Sequence, residues 1–257
     1  MSMGFITGER VVTAEGGFNP TWQRHVATYA LCAELLPPQS PVLDLGCGIG
    51  HSFHHLHPRE TVGIDLDSAA LRGQSPRTCV ANMEQLPFRS GSFASALSVQ
   101  SIEHVADAER VLAEVVRVLY RGGTAIFVTP NRLTYARTDE IIDPYHFREY
   151  DPSELRMLCS KFFNQVEMLG LFGSPRFNAL WTEQLATLDR MLRYDPLRLR
   201  RLIPRRLRQL LYNWQLTYQR RKAHNDQRHA EITPDDFHIQ RAELERSFDL
   251  IAICRRD

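Results

Sequence analysis

Residues 41–50, PVLDLGCGIG, carry an apolar run directly into three glycines at alternate positions, Gly46, Gly48 and Gly50. An apolar run that breaks into glycine reads as a buried strand entering a tight turn. Glycine is needed there because the backbone must take positive φ, or approach a ligand more closely than a Cβ permits. The next apolar run, TVGIDLD, holds Asp65, 21 positions after Asp44. An acid at the end of a second strand is placed to accept hydrogen bonds from both hydroxyls of a ribose. Each such bond to a charged acceptor contributes roughly 1.5–3 kcal/mol. The spacing is GxGxG rather than GxGxxG, which counts against a nicotinamide dinucleotide. The plainer alternative is a structural turn followed by a helix-capping acid, yet strand, turn, helix, strand and acid occur here in order.

The alternation continues downstream. Residues 20–36 have apolar positions at helical spacing and stop at Pro37-Pro38. ALSVQS and TAIFVTP read as third and fourth strands, and between them DAERVLAEVVRVLYRGG reads as an amphipathic helix stopped by Gly122-Gly123. Strands alternating with helices predict an α/β fold whose parallel sheet is covered on both faces. DPSELRMLCSKFF predicts a helix capped by Asp151 or Ser153, and QVEMLGLFG and FDLIAICRR predict two later strands. The expected organisation is an N-terminal helical lid segment (1–38), a core (39–174), a basic helical insertion (175–232) and a final strand completing the sheet (233–257).

A length of 257 residues suits one domain with a substantial insertion. The formal net charge of +1 gives no global pull toward nucleic acid or membrane. No apolar run is long enough to span a bilayer, and MSMGFITGER lacks the apolar core of a signal peptide. The five cysteines are scattered without a CxxC pair, as expected of reduced thiols in a cytoplasmic protein rather than of disulfides or a zinc site. Lys161 and Lys222 are the only lysines, an arginine bias expected of a GC-rich, actinobacterial genome.

The motifs VLDLGCGIG, GIDLD, NMEQLPFRSGSFA, SVQSIEHVAD and RVLYRGGTAIFVTPN, in order over roughly residues 20–172, resemble those of class I S-adenosylmethionine-dependent methyltransferases, particularly the type 11 group. The resemblance implies a doubly wound, seven-stranded Rossmann-like sheet whose last strand is antiparallel, with the helical insertion before that strand. It implies S-adenosyl-L-methionine as cofactor, over the carboxyl ends of the first strands. Gly46, Gly48 and Gly50 would pass its methionine and ribose portions, Asp44 would anchor near the amino group, and Asp65 with Leu66 would hold the ribose. Asn82 stands where the family usually has an acid; its carbonyl oxygen can still accept from the adenine amino group, with Met83 packing the ring. Gln100 and Ser101 would line the methionine end.

Methyl transfer is an in-line displacement, so the protein's main task is alignment. A hydroxyl acceptor also needs a base near neutrality, most often histidine. His104 in SIEHVAD and His146 in DPYHFREY follow the third and fourth strands, with Asp143 and Glu149 near enough in sequence to orient His146. The plainer alternative makes His104 a packed helix residue and His146 a surface loop residue; its loop position favours His146 as the base. Ubiquinone-type O-methyltransferases resemble the chain at QSIEHV, where a Glu-rich version binds a divalent cation. Glu103 and His104 are kept here but the leading acid is Gln100, which weakens a site for Mg²⁺. PYHFREY and TGERVVTAEGGFNPTWQRHVATY resemble segments of bacterial sugar methyltransferases, including mycobacterial enzymes acting on mannose- or glucose-containing oligosaccharides. Trp22, His25 and Tyr29 share one helical face and suggest a lid, although core packing is the plainer reading for Trp22 and Tyr29. Acceptor contacts are expected at Trp22, His25, Tyr145 and Glu149.

From Arg190 to Lys222 there are eleven Arg/Lys and one acid, Asp195, interleaved with leucine and aromatics. Each helix there should have one apolar and one cationic face. Four readings compete: a cap over the acceptor pocket, a membrane-surface helix, a homodimer or anionic-acceptor surface, and a nucleic-acid patch. The cap is favoured because the insertion precedes the last strand, and Pro204 argues against one long membrane-lying helix over 190–222. No RNA-binding module is recognisable. The expected activity is O-methylation of a sugar or oligosaccharide hydroxyl with His146 as base. The alternatives are methylation of a quinone-like or other lipid-soluble phenol, and an inactive cofactor-binding regulatory subunit.

Overall fold

The computed structural model describes residues 19–257 apart from 51–52, 73, 75–76, 136–139, 196–197 and 224–225. The motif residues of the N-terminal segment before Asn19 therefore lie outside the described residues. The chain runs through α1 (Asn19–Leu35), β1 (Val42–Leu45), α2 (Phe53–Leu56), β2 (Thr61–Asp65), β3 (Thr78–Val80) and β4 (Phe93–Val99). It continues with α3 (Ala108–Val118), β5 (Leu119–Pro130), α4 (Arg132–Tyr135), α5 (Pro152–Ser160) and β6 (Gln165–Gly173). Three helices, α6 (Pro175–Leu192), α7 (Arg205–Ala223) and α8 (Gln227–Ala230), precede β7 (Phe237–Gln240) and β8 (Asp249–Arg255).

The strands form one mixed sheet in the order β3-β2-β1-β4-β5-β8-β6-β7. β1 to β5 pair in parallel, and β8 lies antiparallel between β5 and β6. The sheet has eight strands, not seven: Phe237–Gln240 adds an antiparallel edge against Gly170–Gly173. Four residues are too few for a period-two pattern to stand out, and the three-residue β3 escaped sequence reading for the same reason. Gly122-Gly123 does not end a helix either. The helix stops at Val118, and Leu119 already takes extended φ/ψ and pairs with Phe93 at the start of β5.

Successive core residues alternate between two apolar layers, as a strand's period of two requires. Ala96, Phe127 and Ala252 face α3 and α5, whereas Leu97, Ile126 and Ile251 face α1 and α6. Both faces are covered, which is why the central strands read as unbroken apolar runs. On α3, Val111, Leu112, Val115 and Val118 are all buried, each contributing roughly 1.5–3 kcal/mol relative to exposure. The strand order reverses between β1 and β4, so the crevice at their carboxyl ends is where an open α/β sheet takes a ligand.

The helix after that crevice is fixed at its start by chemistry the sequence announces. Asp151 caps α5, its Oδ1 accepting from the Ser153 and Glu154 N–H groups, while the Glu154 carboxylate accepts from the Asp151 N–H. Its Oδ2 takes Arg132 Nη2 at 2.6 Å, tying α4 to α5. Asp151→Ala should lower stability by about 1–2 kcal/mol, read as a lower urea midpoint with unchanged slope.

Candidate active site

At the carboxyl end of β1 the chain turns through Gly46 (φ +73°) and Gly48 (φ +54°), both in the left-handed region. A Cβ on Gly46 would lie 2.8 Å from Ser101 Cβ, so this glycine answers close approach as well as φ. At Gly48 a Cβ would meet nothing within 4 Å, because the turn opens there into a cavity. The Gly48 N–H donates to Asp65 Oδ2 at 3.0 Å, and Asp65 Oδ1 accepts from Asp67 N at 2.8 Å. The acid thus locks the turn, with both carboxylate oxygens accepting from backbone N–H groups. Ser101, at the end of β4, bonds Leu45 O (2.9 Å) and Ser98 Oγ (2.7 Å), closing β1 to β4 behind the turn.

The cavity has a volume of about 910 Å³ and extends from this turn to the loop after β5. Glu103, His104 and His146 meet on its far side. The Glu103 carbonyl accepts from Phe147 N (2.8 Å) and Arg148 N (3.4 Å), which pins the second loop onto the first. The two imidazoles then lie with ring centroids 4.9 Å apart. His146 is only 8% exposed, so it is not a surface residue. Its Nδ1–H donates to Glu149 Oε1 at 2.9 Å, which leaves Nε2 as the basic nitrogen, 3.9 Å from Asp143 Oδ2. His104 donates from Nδ1 to Tyr145 O at 3.4 Å. Asp143 in turn accepts from Tyr212 Oη (2.8 Å), Tyr135 Oη (3.4 Å) and Tyr145 N (2.9 Å).

Acids dominate the buried charge. Burial disfavours the His146 imidazolium, but the hydrogen bond to Glu149 and the carboxylates of Asp143 and Glu103 outweigh it, and its pKa rises above 6.5. Burial first, then Asp143, pushes the Tyr135 phenol well up; burial and the neighbouring Tyr135 and Asp143 do the same for Tyr212. Both stay protonated as donors. Asp249, fully buried beside Gln100 Nε2 (3.1 Å) and Arg24 Nε (3.4 Å), is pushed up to about 6 by burial, against the pull of Arg24. Glu103 Oε2 accepts from Thr129 Oγ1 at 3.0 Å, whereas its buried Oε1 has no hydrogen-bond partner among the described residues.

A family model described as a methyltransferase domain matches residues 43–127. A probable S-adenosylmethionine-dependent methyltransferase of Mycobacterium tuberculosis is 34% identical over 180 residues, covering 66% of this chain and 65% of that protein, just under two thirds of its length. A probable S-adenosylmethionine-dependent methyltransferase of Mycolicibacterium smegmatis is 31% identical over 176 residues, covering 65% of this chain and 68% of that protein. The chain belongs to the S-adenosylmethionine-dependent methyltransferases. A solved methyltransferase of Thermotoga maritima, described as a possible histamine N-methyltransferase, superposes with a TM-score of 0.59 over 91% of both chains at 15% identity, a likeness of fold.

The cofactor implied by the methyltransferase family fits the near half of the cavity. Gly46, Gly48, Asp65, Leu66, Met83, Gln100 and Ser101 all line it, and the open side of Gly48 leaves room against backbone N–H groups. Three expected contacts do not line it. Asp44 is fully buried and accepts from Tyr29 Oη at 3.2 Å; Gly50 faces Phe53; and Asn82 uses its carbonyl oxygen to accept from Glu84 N at 2.9 Å. On the acceptor side His25 lines the cavity, but Trp22 does not. Tyr145 and Glu149 stand behind the lining, Tyr145 Oη accepting from Asn213 Nδ2 at 2.7 Å and Glu149 orienting His146. Sequence reasoning missed Arg24, Tyr135, Trp181 and Tyr212, all of which line the cavity. Asp65→Ala should weaken S-adenosylmethionine binding roughly 10- to 100-fold by calorimetry, through the lost charged acceptor, with the far-ultraviolet spectrum unchanged.

Proposed function

We propose that this methyltransferase transfers a methyl group from S-adenosyl-L-methionine to a hydroxyl of a sugar or oligosaccharide, with His146 as general base. The Glu149–His146 pair carries the reading: a buried imidazole with a fixed tautomer shares one cavity with the Gly46–Gly48 turn. When bound, the cofactor supplies a methyl carbon activated by sulfonium. The chain's residues supply alignment and removal of the hydroxyl proton to His146 Nε2. Glu149 and Asp143 stabilise the imidazolium so formed.

The lining supports a hydroxyl-rich acceptor. A buried carboxylate oxygen without a partner costs roughly 1–3 kcal/mol, and Glu103 Oε1 is such an acceptor, suited to a substrate hydroxyl. Tyr135 and Tyr212, whose hydroxyl protons go to Asp143, can accept through their oxygens, and Trp181 adds an apolar wall. A lipid-soluble phenol whose single hydroxyl faces His146 would leave the Glu103 oxygen desolvated and unpaired.

One observation favours a second reading. Glu103, His104 and His146 each offer a ligand atom, all within 4.8 Å of one another, and would hold a divalent ion. Two imidazoles and one carboxylate suit a transition ion rather than Mg²⁺, which prefers oxygen donors and keeps its waters.

Transfer of labelled methyl to short mannose and glucose oligosaccharides, beside a panel of quinol precursors, tests the acceptor class. Label on the quinols alone would defeat the sugar reading. His146→Ala should then lower kcat about 10²- to 10⁴-fold. The base works only when neutral, so kcat/KM should rise with pH through a pKa above 6.5. Glu149→Gln, by removing the acid that favours the imidazolium, should move that limb to lower pH. Full turnover after exhaustive EDTA dialysis would remove the metal reading; loss restored by zinc or manganese would put the ion in place of the free base.

A further inference from the structure

Helix α7 is inside out. Its protein-facing stripe is polar: Arg205 donates from Nε to Pro144 O (2.9 Å) and from Nη2 to Tyr145 O (3.1 Å). Two turns on, Tyr212 Oη bonds Asp143 (2.8 Å) and Asn213 Nδ2 bonds Tyr145 Oη (2.7 Å). The opposite stripe is apolar and faces solvent. Leu207, Leu210, Leu211 and Trp214, at i, i+3, i+4 and i+7, are 48%, 60%, 52% and 73% exposed. A helix on a protein surface ordinarily turns such a stripe inward, and an exposed contiguous one marks an interaction site.

We infer that this outer face of α7 is a docking surface for an anionic lipid bilayer. Arg206 borders the stripe on one side and Arg208 on the other, by their 100° steps around the helix. Upstream of α7, Tyr194 and Leu202 are likewise 89% and 82% exposed, whereas Arg201 is paired with Glu140 (2.9 Å). Leucine and tryptophan flanked by arginine is the composition that settles at the headgroup boundary, where each cation gains from the negative surface potential. No helix among the described residues is long and apolar enough to cross a membrane, so the contact is superficial.

A second copy of the chain is the competing occupant, and charge opposes it. A two-fold contact sets the same patch against itself. Such a contact would bring Arg206 and Arg208, which border the stripe, against the same pair on the other copy, and the α7 sequence contains no acid to offset them. The position of α7 gives docking a consequence. Its inner residues Tyr212, Gln215 and Leu216 line the cavity, so a bilayer on the outer face rests against the cavity's own wall.

Cosedimentation of the full chain with vesicles tests this independently of any acceptor. The protein should pellet with phosphatidylglycerol/phosphatidylcholine vesicles at low salt, less at high salt, and not with phosphatidylcholine alone. The double variant Leu210→Ser/Leu211→Ser should lose the binding, and Arg206→Glu should weaken it about fivefold or more. Both alter exposed side chains, so S-adenosylmethionine binding should match the parent. Absence of parent binding to the anionic vesicles, or equal binding by the double variant, overturns the inference. A dimer in sedimentation equilibrium that the double variant dissolves would also overturn it, in favour of a second copy.

Discussion

The carbonyl oxygen of Glu103 holds the far half of the cavity together. It receives the N–H groups of Phe147 and Arg148, and so attaches the loop after β5 to the short turn after β4. The same residue is held by its side chain, through Thr129 of β5. Bonds of this kind contribute only about 0.5–1.5 kcal/mol each, and their weight here is positional. Without them His146 has no reason to lie 4.9 Å from His104, since 41 residues separate Tyr145 from His104 along the chain. The residues that line the near half of the cavity follow β1, β2, β3 and β4. His146 reaches the cavity only with the β5 loop brought back over them.

Around that attachment the protein accepts an unusual concentration of buried acid. Glu103, Asp143, Glu149 and Asp249 are each less than 9% exposed, and Arg24 is the buried cation beside them. The arrangement is tolerable because most of the oxygens have donors from tyrosine hydroxyls, Gln100, Thr129 and His146. The remaining imbalance shows as proton affinity. His146 holds its proton above its ordinary range, and Asp249 is pushed up to about 6. Both raised values favour the proton-bound folded state, so this cluster's contribution to stability falls as pH rises through them. Such a site favours ligands that bring hydroxyl or cationic donors.

The insertion joins this chemistry to the outside. Arg205, Tyr212 and Asn213 on the inner face of α7 hold the Asp143–Tyr145 stretch, just before His146. The polar groups that would ordinarily be solvated are therefore spent on the site loop, and the apolar stripe is left outside. On the other side of the cavity, α1 contributes Arg24, whose guanidinium stacks 5.3 Å from the centre of the Trp181 ring of α6. α1 and α6 thus meet through a cation–aromatic contact, and Asn19 of α1 also donates to His229 O at 2.6 Å.

Much of the cofactor half was legible in the sequence because its determinants are local. A strand that breaks into positive-φ glycines, and an acid at the end of the next strand, are adjacent in space whenever two parallel strands pair. The capping box at Asp151 was readable on the same ground. Short edges were not: β3 and β7 exist only because β2 and β6 offer unpaired backbone to three or four residues. Asn82 and Asp44 show the limit of residue-by-residue transfer, since neither lines the cavity and they accept from Glu84 N and Tyr29 Oη, partners that no motif names. Nor could composition tell which face of the arginine-rich helix turns inward. The sequence by itself determined the parallel sheet, its glycine turn and its two candidate histidines, because hydrophobic period and backbone sterics act over a few residues. Only the tertiary structure decided that His146 is buried on Glu149, that Arg24 and Tyr212 join the cavity, and that α7 faces outward with its leucines, because those outcomes depend on hydrogen bonds between segments far apart in the chain.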